Sequence, residues 1–98
     1  MERKALVVGN WKMQLSYKGE LELARSLKNL LRGMVVTADV VVCPSFATLE
    51  AIGELVKNSE KMELGAQGIY GDEKGAFTGQ VSVLQIASLV RWCILGHS

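Results

Sequence analysis

The chain has 98 residues, 49% hydrophobic and 21% charged, the composition of one globular domain and not of a disordered segment. Lys plus Arg number 11 against 10 Asp plus Glu, so the basic footprint of a nucleic-acid or anionic-membrane binder is missing. No apolar run approaches the roughly 18 residues of a membrane span, and the opening residues lack the pattern of a secretory leader.

Residues 5–8 (ALVV) form a short, β-branched, non-alternating run, which reads as a strand covered on both faces. After a polar stretch, residues 20–31 carry apolar positions at Leu23, Ala24, Leu27, Leu30 and Leu31, one face of a helix that Gly33 stops. Residues 40–43 (VVVC) are a second buried strand, ended by Pro44, which cannot donate to a sheet ladder. Ser45 is positioned to cap a following helix whose inner face is Phe46, Leu49, Ile52 and Val56, with Asn58 and Ser59 closing it.

Residues 62–66 (MELGA) predict a third strand. Residues 67–80 are a glycine-rich loop, long for a compact domain and matching neither G-x-G-x-x-G nor a phosphate-binding P-loop. Ser82 and Gln85 have the spacing of a capping box, and Val83, Ile86, Ala87 and Val90 give a short helix its inner face. Residues 92–95 predict the fourth strand. Strands alternating with helices imply a parallel sheet with right-handed crossovers. Cys43 and Cys93 both lie in apolar runs and are expected to be buried, reduced and too far apart to bridge, with strand three between them. Reduced thiols point to the cytoplasm.

Sites in parallel α/β folds lie at the carboxyl ends of the strands. The polar groups delivered there are Asn10 and Lys12, then Pro44 and Ser45, then Gln67, then His97 and Ser98. A lysine supplies a cation for a phosphate or a developing oxyanion, and a histidine polarises a carbonyl or moves a proton. Taken singly, Lys12 also reads as a solvated loop lysine and His97 as the fray at a chain end. Glu20, Glu22, Glu50 and Glu54 read as solvated helix faces, Glu63 can point either way, and Asp72 and Glu73 are expected on the exposed loop.

Four motifs in register add a family resemblance. GNWKM at 9–13, GAQ at 65–67, GAFTG at 75–79 and LGHS at 95–98 resemble the first four strand ends of triosephosphate isomerase. The resemblance implies an α/β fold that is half of a (β/α)₈ barrel, four parallel strands with three intervening helices, as a single domain over residues 1–98. An open flavodoxin-like sheet fits the alternation but not the ordered motifs. The family interconverts dihydroxyacetone phosphate and glyceraldehyde 3-phosphate, in glycolysis and gluconeogenesis, with no metal and no cofactor. Asn10 and Lys12 match its substrate-binding pair, and Lys12 and His97 its catalytic residues, Lys12 facing the phosphate and the oxyanion and His97 as the neutral electrophile. The sequence departs from the usual motifs at Gln14, Gly68 and Gln80.

The family's catalytic glutamate, which follows strand six, has no counterpart in these residues, nor do the lid and the strand-seven and strand-eight phosphate loops. The isolated chain is therefore expected to be inactive or nearly so, binding triose phosphate, inorganic phosphate or sulfate weakly. The alternative is a non-catalytic half-barrel module that self-associates or complements another chain. Two unpaired strand edges lead to the expectation of a homo-oligomer, with a dimer first, and no nucleic-acid or membrane partner.

Overall fold

The computed structural model describes residues 4–97. Its strands form one parallel sheet in the order β1 (Leu6–Asn10), β2 (Asp39–Cys43), β3 (Glu63–Ala66) and β4 (Trp92–Cys93). Between them run α1 (Tyr17–Arg32), α2 (Leu49–Lys57), entered through a 3₁₀ turn at Phe46–Thr48, and α3 (Val83–Ile86). Each strand pairs with its sequence neighbour, Leu6 opposite Asp39, Val41 opposite Glu63 and Gly65 opposite Trp92. This is the expected half of a (β/α)₈ barrel, with β1 and β4 as edges.

Period-two alternation divides the sheet into two faces. On the outer face Val42, Leu64 and Ala66 meet Ala24 of α1, Leu49, Ile52 and Val56 of α2, and Ile86 of α3 in one buried cluster. On the inner face lie Leu6, Val8 and Asn10, then Asp39, Val41 and Cys43, then Glu63 and Gly65, then Trp92. Gly65 is required there. A Cβ would stand 2.7 Å from Cys43 Sγ and 2.9 Å from Val41 Cγ1, closer than side-chain carbons approach.

The helices depart from expectation in phase and length. α1 starts three residues earlier than residue 20, because Ser16 Oγ accepts from Gly19 N at 3.0 Å and caps the first turn. Its buried stripe is Glu20, Ala24, Leu27 and Leu31, with Leu21 beside it, while Leu30 is exposed. The leucine pattern alone fits two neighbouring phases, and the partners of Glu20 decide between them. At its other end Lys61 Nζ donates to Leu31 O at 2.8 Å, to Arg32 O at 3.4 Å and to Met34 O. An ammonium there satisfies carbonyls that have no intrahelical donor.

Ser45 does not cap through its hydroxyl, which donates to Glu20 instead, and Phe46 is exposed because the 3₁₀ turn takes it out of the phase of α2. α3 is a single turn, so Ile86 and Val90 pack while Val83 and Ala87 remain exposed. Ser82 N donates to Gln85 Oε1 at 2.9 Å, an arm of the expected Ser82–Gln85 capping box, and the Gln85 backbone N–H donates to Ser82 O at 3.1 Å. β1 starts one residue later than residue 5 and runs two residues past residue 8 to Asn10, and β4 pairs only at Trp92–Cys93, leaving Leu95 exposed.

The edges also correct two burial expectations. Leu6, Val7 and Val8, expected to be covered, are 47%, 55% and 44% exposed, because only β2 flanks them. Both thiols are free as expected, but Cys93, on the other edge, is exposed and Cys43 alone is buried. Among the described residues no helix is long and apolar enough to cross a membrane.

Candidate functional site

β1 delivers Asn10 to the carboxyl-end rim of the sheet. Asn10 Oδ1 accepts from Lys12 N at 3.0 Å, a side-chain-closed turn of the kind asparagine favours. The turn forces Lys12 to φ +54, where an L-residue costs about 1–2 kcal/mol. Among the described residues it is the one non-glycine with positive φ. The cost is offset from the neighbouring strands. Trp11 N donates to Cys43 O at 3.1 Å, and Gln67 Nε2 donates to both Lys12 O and Cys43 O at 3.0 Å. The ends of β1, β2 and β3 are thereby tied by one amide group.

Gln67 was legible as a rim residue, but its part as the tether was not. Nothing in local pattern shows that its side chain reaches a backbone carbonyl 55 residues away.

Lys12 is exposed. The ion pairs among the described residues, Lys4–Asp39 and Arg91–Glu63, both lie at the amino end of the strands and leave the charge of Lys12 uncompensated. His97 lies at the rim beyond β4, four residues after Cys93, and the turn leading to it uses Gly96 at φ +73. Asn10 and Lys12 stand at one edge of the sheet and His97 at the other, about 14 Å apart along three strand spacings, less the shortening that curvature brings. Ser98, the last of the expected rim groups, lies outside the described residues.

The carboxylates sort by place. Glu63 is at the amino end with Arg91, and Glu22, Glu50, Glu54, Asp72 and Glu73 are exposed on helices and the long loop. Glu20, expected on a solvated face, is 1% exposed, the one buried charged side chain among the described residues. It accepts from Ser45 N at 3.0 Å, Ser45 Oγ at 2.6 Å and Thr48 Oγ1 at 2.8 Å. These bonds fix the turn after β2 and engage both carboxylate oxygens. Beneath the rim, burial and, to a smaller extent, Cys93 push the Cys43 thiol up to about 11. It is protonated at neutral pH and no nucleophile. Burial also raises the thiol of Cys93.

Comparison with known proteins agrees with this arrangement. The family model described as triosephosphate isomerase matches residues 5–98. The triosephosphate isomerase of Clostridium botulinum (strain Loch Maree / Type A3) is 41% identical over 97 residues, covering 98% of this chain and 38% of that protein. That of Endomicrobium trichonymphae is 37% identical with the same coverage, and that of Dehalococcoides mccartyi is 35% identical over 96 residues, 37% of its length. The chain thus spans well under half the length of the curated relatives it matches. With four parallel strands in sequence order and the match running from residue 5 to residue 98, the chain belongs to the triosephosphate isomerase family.

Proposed function

We propose that this chain carries the substrate-binding half of a triosephosphate isomerase rim, acting on dihydroxyacetone phosphate and glyceraldehyde 3-phosphate in cytoplasmic glycolysis and gluconeogenesis. The observation that carries the proposal is the tethered Lys12. Asn10 Oδ1 and Gln67 Nε2 hold its backbone from both sides, so its ammonium has a fixed point of departure beside the strand ends. A cation projected from this tethered backbone stabilises negative charge that develops on an enediolate oxygen or resides on a phosphate. His97 supplies the second polar group on the carbonyl, and Asn10 orients the substrate through Lys12.

Proton abstraction from carbon needs a carboxylate at the rim, and the carboxylates described above are buried and bonded, at the far end of the sheet or on exposed surfaces. A positioned base contributes about 10²–10⁴ in rate. Isomerisation by the 98-residue chain alone is therefore slower than by a complete site by at least that factor. The test is a coupled isomerase assay with the purified chain, its Lys12→Ala and His97→Ala variants, and titration with inorganic phosphate. Weak phosphate binding that Lys12→Ala abolishes, with turnover at background, is the expected result. Phosphate binding that ignores Lys12→Ala sinks the proposal, and fast turnover lost in both variants sinks the missing-base argument.

A further inference from the structure

Lys12 sits on the six-residue stretch between β1 and α1, residues 11–16. Both ends of that stretch fasten to the same short segment at the end of β2, Cys43, Pro44 and Ser45. At the entrance, Trp11 N donates to Cys43 O at 3.1 Å. At the exit, Ser16 caps α1 and its carbonyl accepts from Glu20 N at 2.9 Å. The Glu20 carboxylate in turn accepts from Ser45 N at 3.0 Å and Ser45 Oγ at 2.6 Å. Between the two attachments lies Pro44, buried, with its φ locked by the ring. Gln67 Nε2 adds a brace, donating to Cys43 O and to Lys12 O at 3.0 Å.

Packing does not explain a carboxylate at residue 20. Glu20 shares the inward stripe of α1 with Ala24, Leu27 and Leu31, where an apolar side chain would fill the core. Taking a carboxylate out of water is costly, and well-packed apolar residues in place of buried ionic groups are often neutral or stabilising. An apolar side chain cannot grip the backbone N–H of Ser45, and so cannot fix where α1 begins relative to the end of β2.

We infer that Glu20 is a positioning residue for Lys12, on the reading above that Lys12 is the phosphate-binding cation. It anchors the exit of the Lys12 stretch to the same turn that anchors the entrance. Lys12 is held at φ +54, a conformation that an unrestrained L-residue leaves by a factor of about 5–30. The Asn10 and Gln67 bonds restrain Lys12 from the strand side. With the exit released, Lys12 relaxes for part of the time, and its apparent affinity for phosphate falls with the fraction of chains still competent.

The test is made on the full chain with Glu20→Gln, Glu20→Ala and a control, Ile52→Val, which weakens core packing on α2 without touching either attachment. Amide protection in β2 and β3 shows that each variant is folded. Two quantities are read: the dissociation constant for inorganic phosphate, and the strong intraresidue HN–Hα Overhauser effect that positive φ gives at Lys12. The expected dissociation constant rises about threefold in Glu20→Gln and about tenfold in Glu20→Ala, with the Lys12 Overhauser effect weakening in step. Ile52→Val should leave both unchanged. Glu20→Gln carries the test where Glu20→Ala does not fold. An Overhauser effect of parent strength in the folded Glu20 variants overturns the inference. So does unchanged phosphate affinity where Lys12→Ala still abolishes binding, or an equal loss in Ile52→Val, which would mark a general effect of stability. Phosphate binding that ignores Lys12→Ala defeats the reading of Lys12 instead, and the Overhauser effect alone then decides whether Glu20 sets its backbone.

Discussion

Removing the buried carboxylate of Glu20 is the sharpest test of how the scaffold is held. Glu20→Ala leaves three donors behind, Ser45 N, Ser45 Oγ and Thr48 Oγ1. Hydrogen bonds to a charged group contribute about 1.5–3 kcal/mol each, which sets an upper limit of about 5–9 kcal/mol. Three effects reduce it. Ser45 is half-buried, so water reaches its donors. Thr48 Oγ1 already shares a 3.3 Å bond with Ser45 O. Removing the carboxylate also removes its own desolvation cost. About 3 kcal/mol remains for Glu20→Ala, and about 1–2 kcal/mol for Glu20→Gln, which keeps one acceptor oxygen. The assay is urea unfolding at one fixed protein concentration, since association shifts apparent stability. With a slope of about 1–3 kcal/mol per molar, Glu20→Ala lowers the midpoint by about 1–3 M. Thr48→Val should cost at least about 1 kcal/mol less in the Glu20→Ala background than in the parent. Losses under about 0.5 kcal/mol for both Glu20 variants, or additive costs with Thr48→Val, would refute the reasoning.

Gly65→Ala should destabilise the sheet by about 1–3 kcal/mol, because its Cβ meets Cys43 Sγ and Val41 Cγ1; Cys43→Ala should recover only part, since Val41 remains, and a neutral Gly65→Ala would contradict the packing. Iodoacetamide should label Cys93 in the native chain and Cys43 only on unfolding, as mass spectrometry of the peptides will show. Cys43 holds its proton more tightly folded, at about 11 against the ordinary 9.0, so the unfolded chain loses it first as pH rises. Its contribution to stability is present below about pH 9 and is lost toward pH 11, and Cys43→Ala should flatten that part of the thermal-midpoint profile.

The strands were legible because each is a short apolar run bounded by turn residues, and their order follows from the intervening helical periods. Asn10, Lys12 and His97 were legible as rim groups because parallel strands all deliver to one end. Helix phase was not. Leu23, Leu27, Leu30 and Leu31 leave two registers open, and a glutamate in the inward stripe looks solvated until a serine and a threonine 25 and 28 residues away are seen to hold it. Ser45 illustrates the same limit, since its position suits a cap while its hydroxyl serves a longer-range bond. Burial of β1 and β4 was misread because apolar composition records what a strand is built to meet, and these two edges meet only one neighbour each.

The glycine-rich loop leaves and re-enters the fold at nearly one point. Tyr70 N donates to Val81 O at 2.7 Å, the Tyr70 and Phe77 rings stand 4.4 Å apart, and residues 71–80 are exposed throughout. Lengthening such a loop is cheap, because doubling it adds only about 0.6 kcal/mol of closure entropy. Gly75 is the constraint, since a Cβ there would strike the Phe77 ring. Foreign peptide spliced between Gly71 and Lys74 would thus be displayed on a pinned stalk, with sheet register and rim undisturbed, which makes this segment a natural acceptor for epitopes or purification tags.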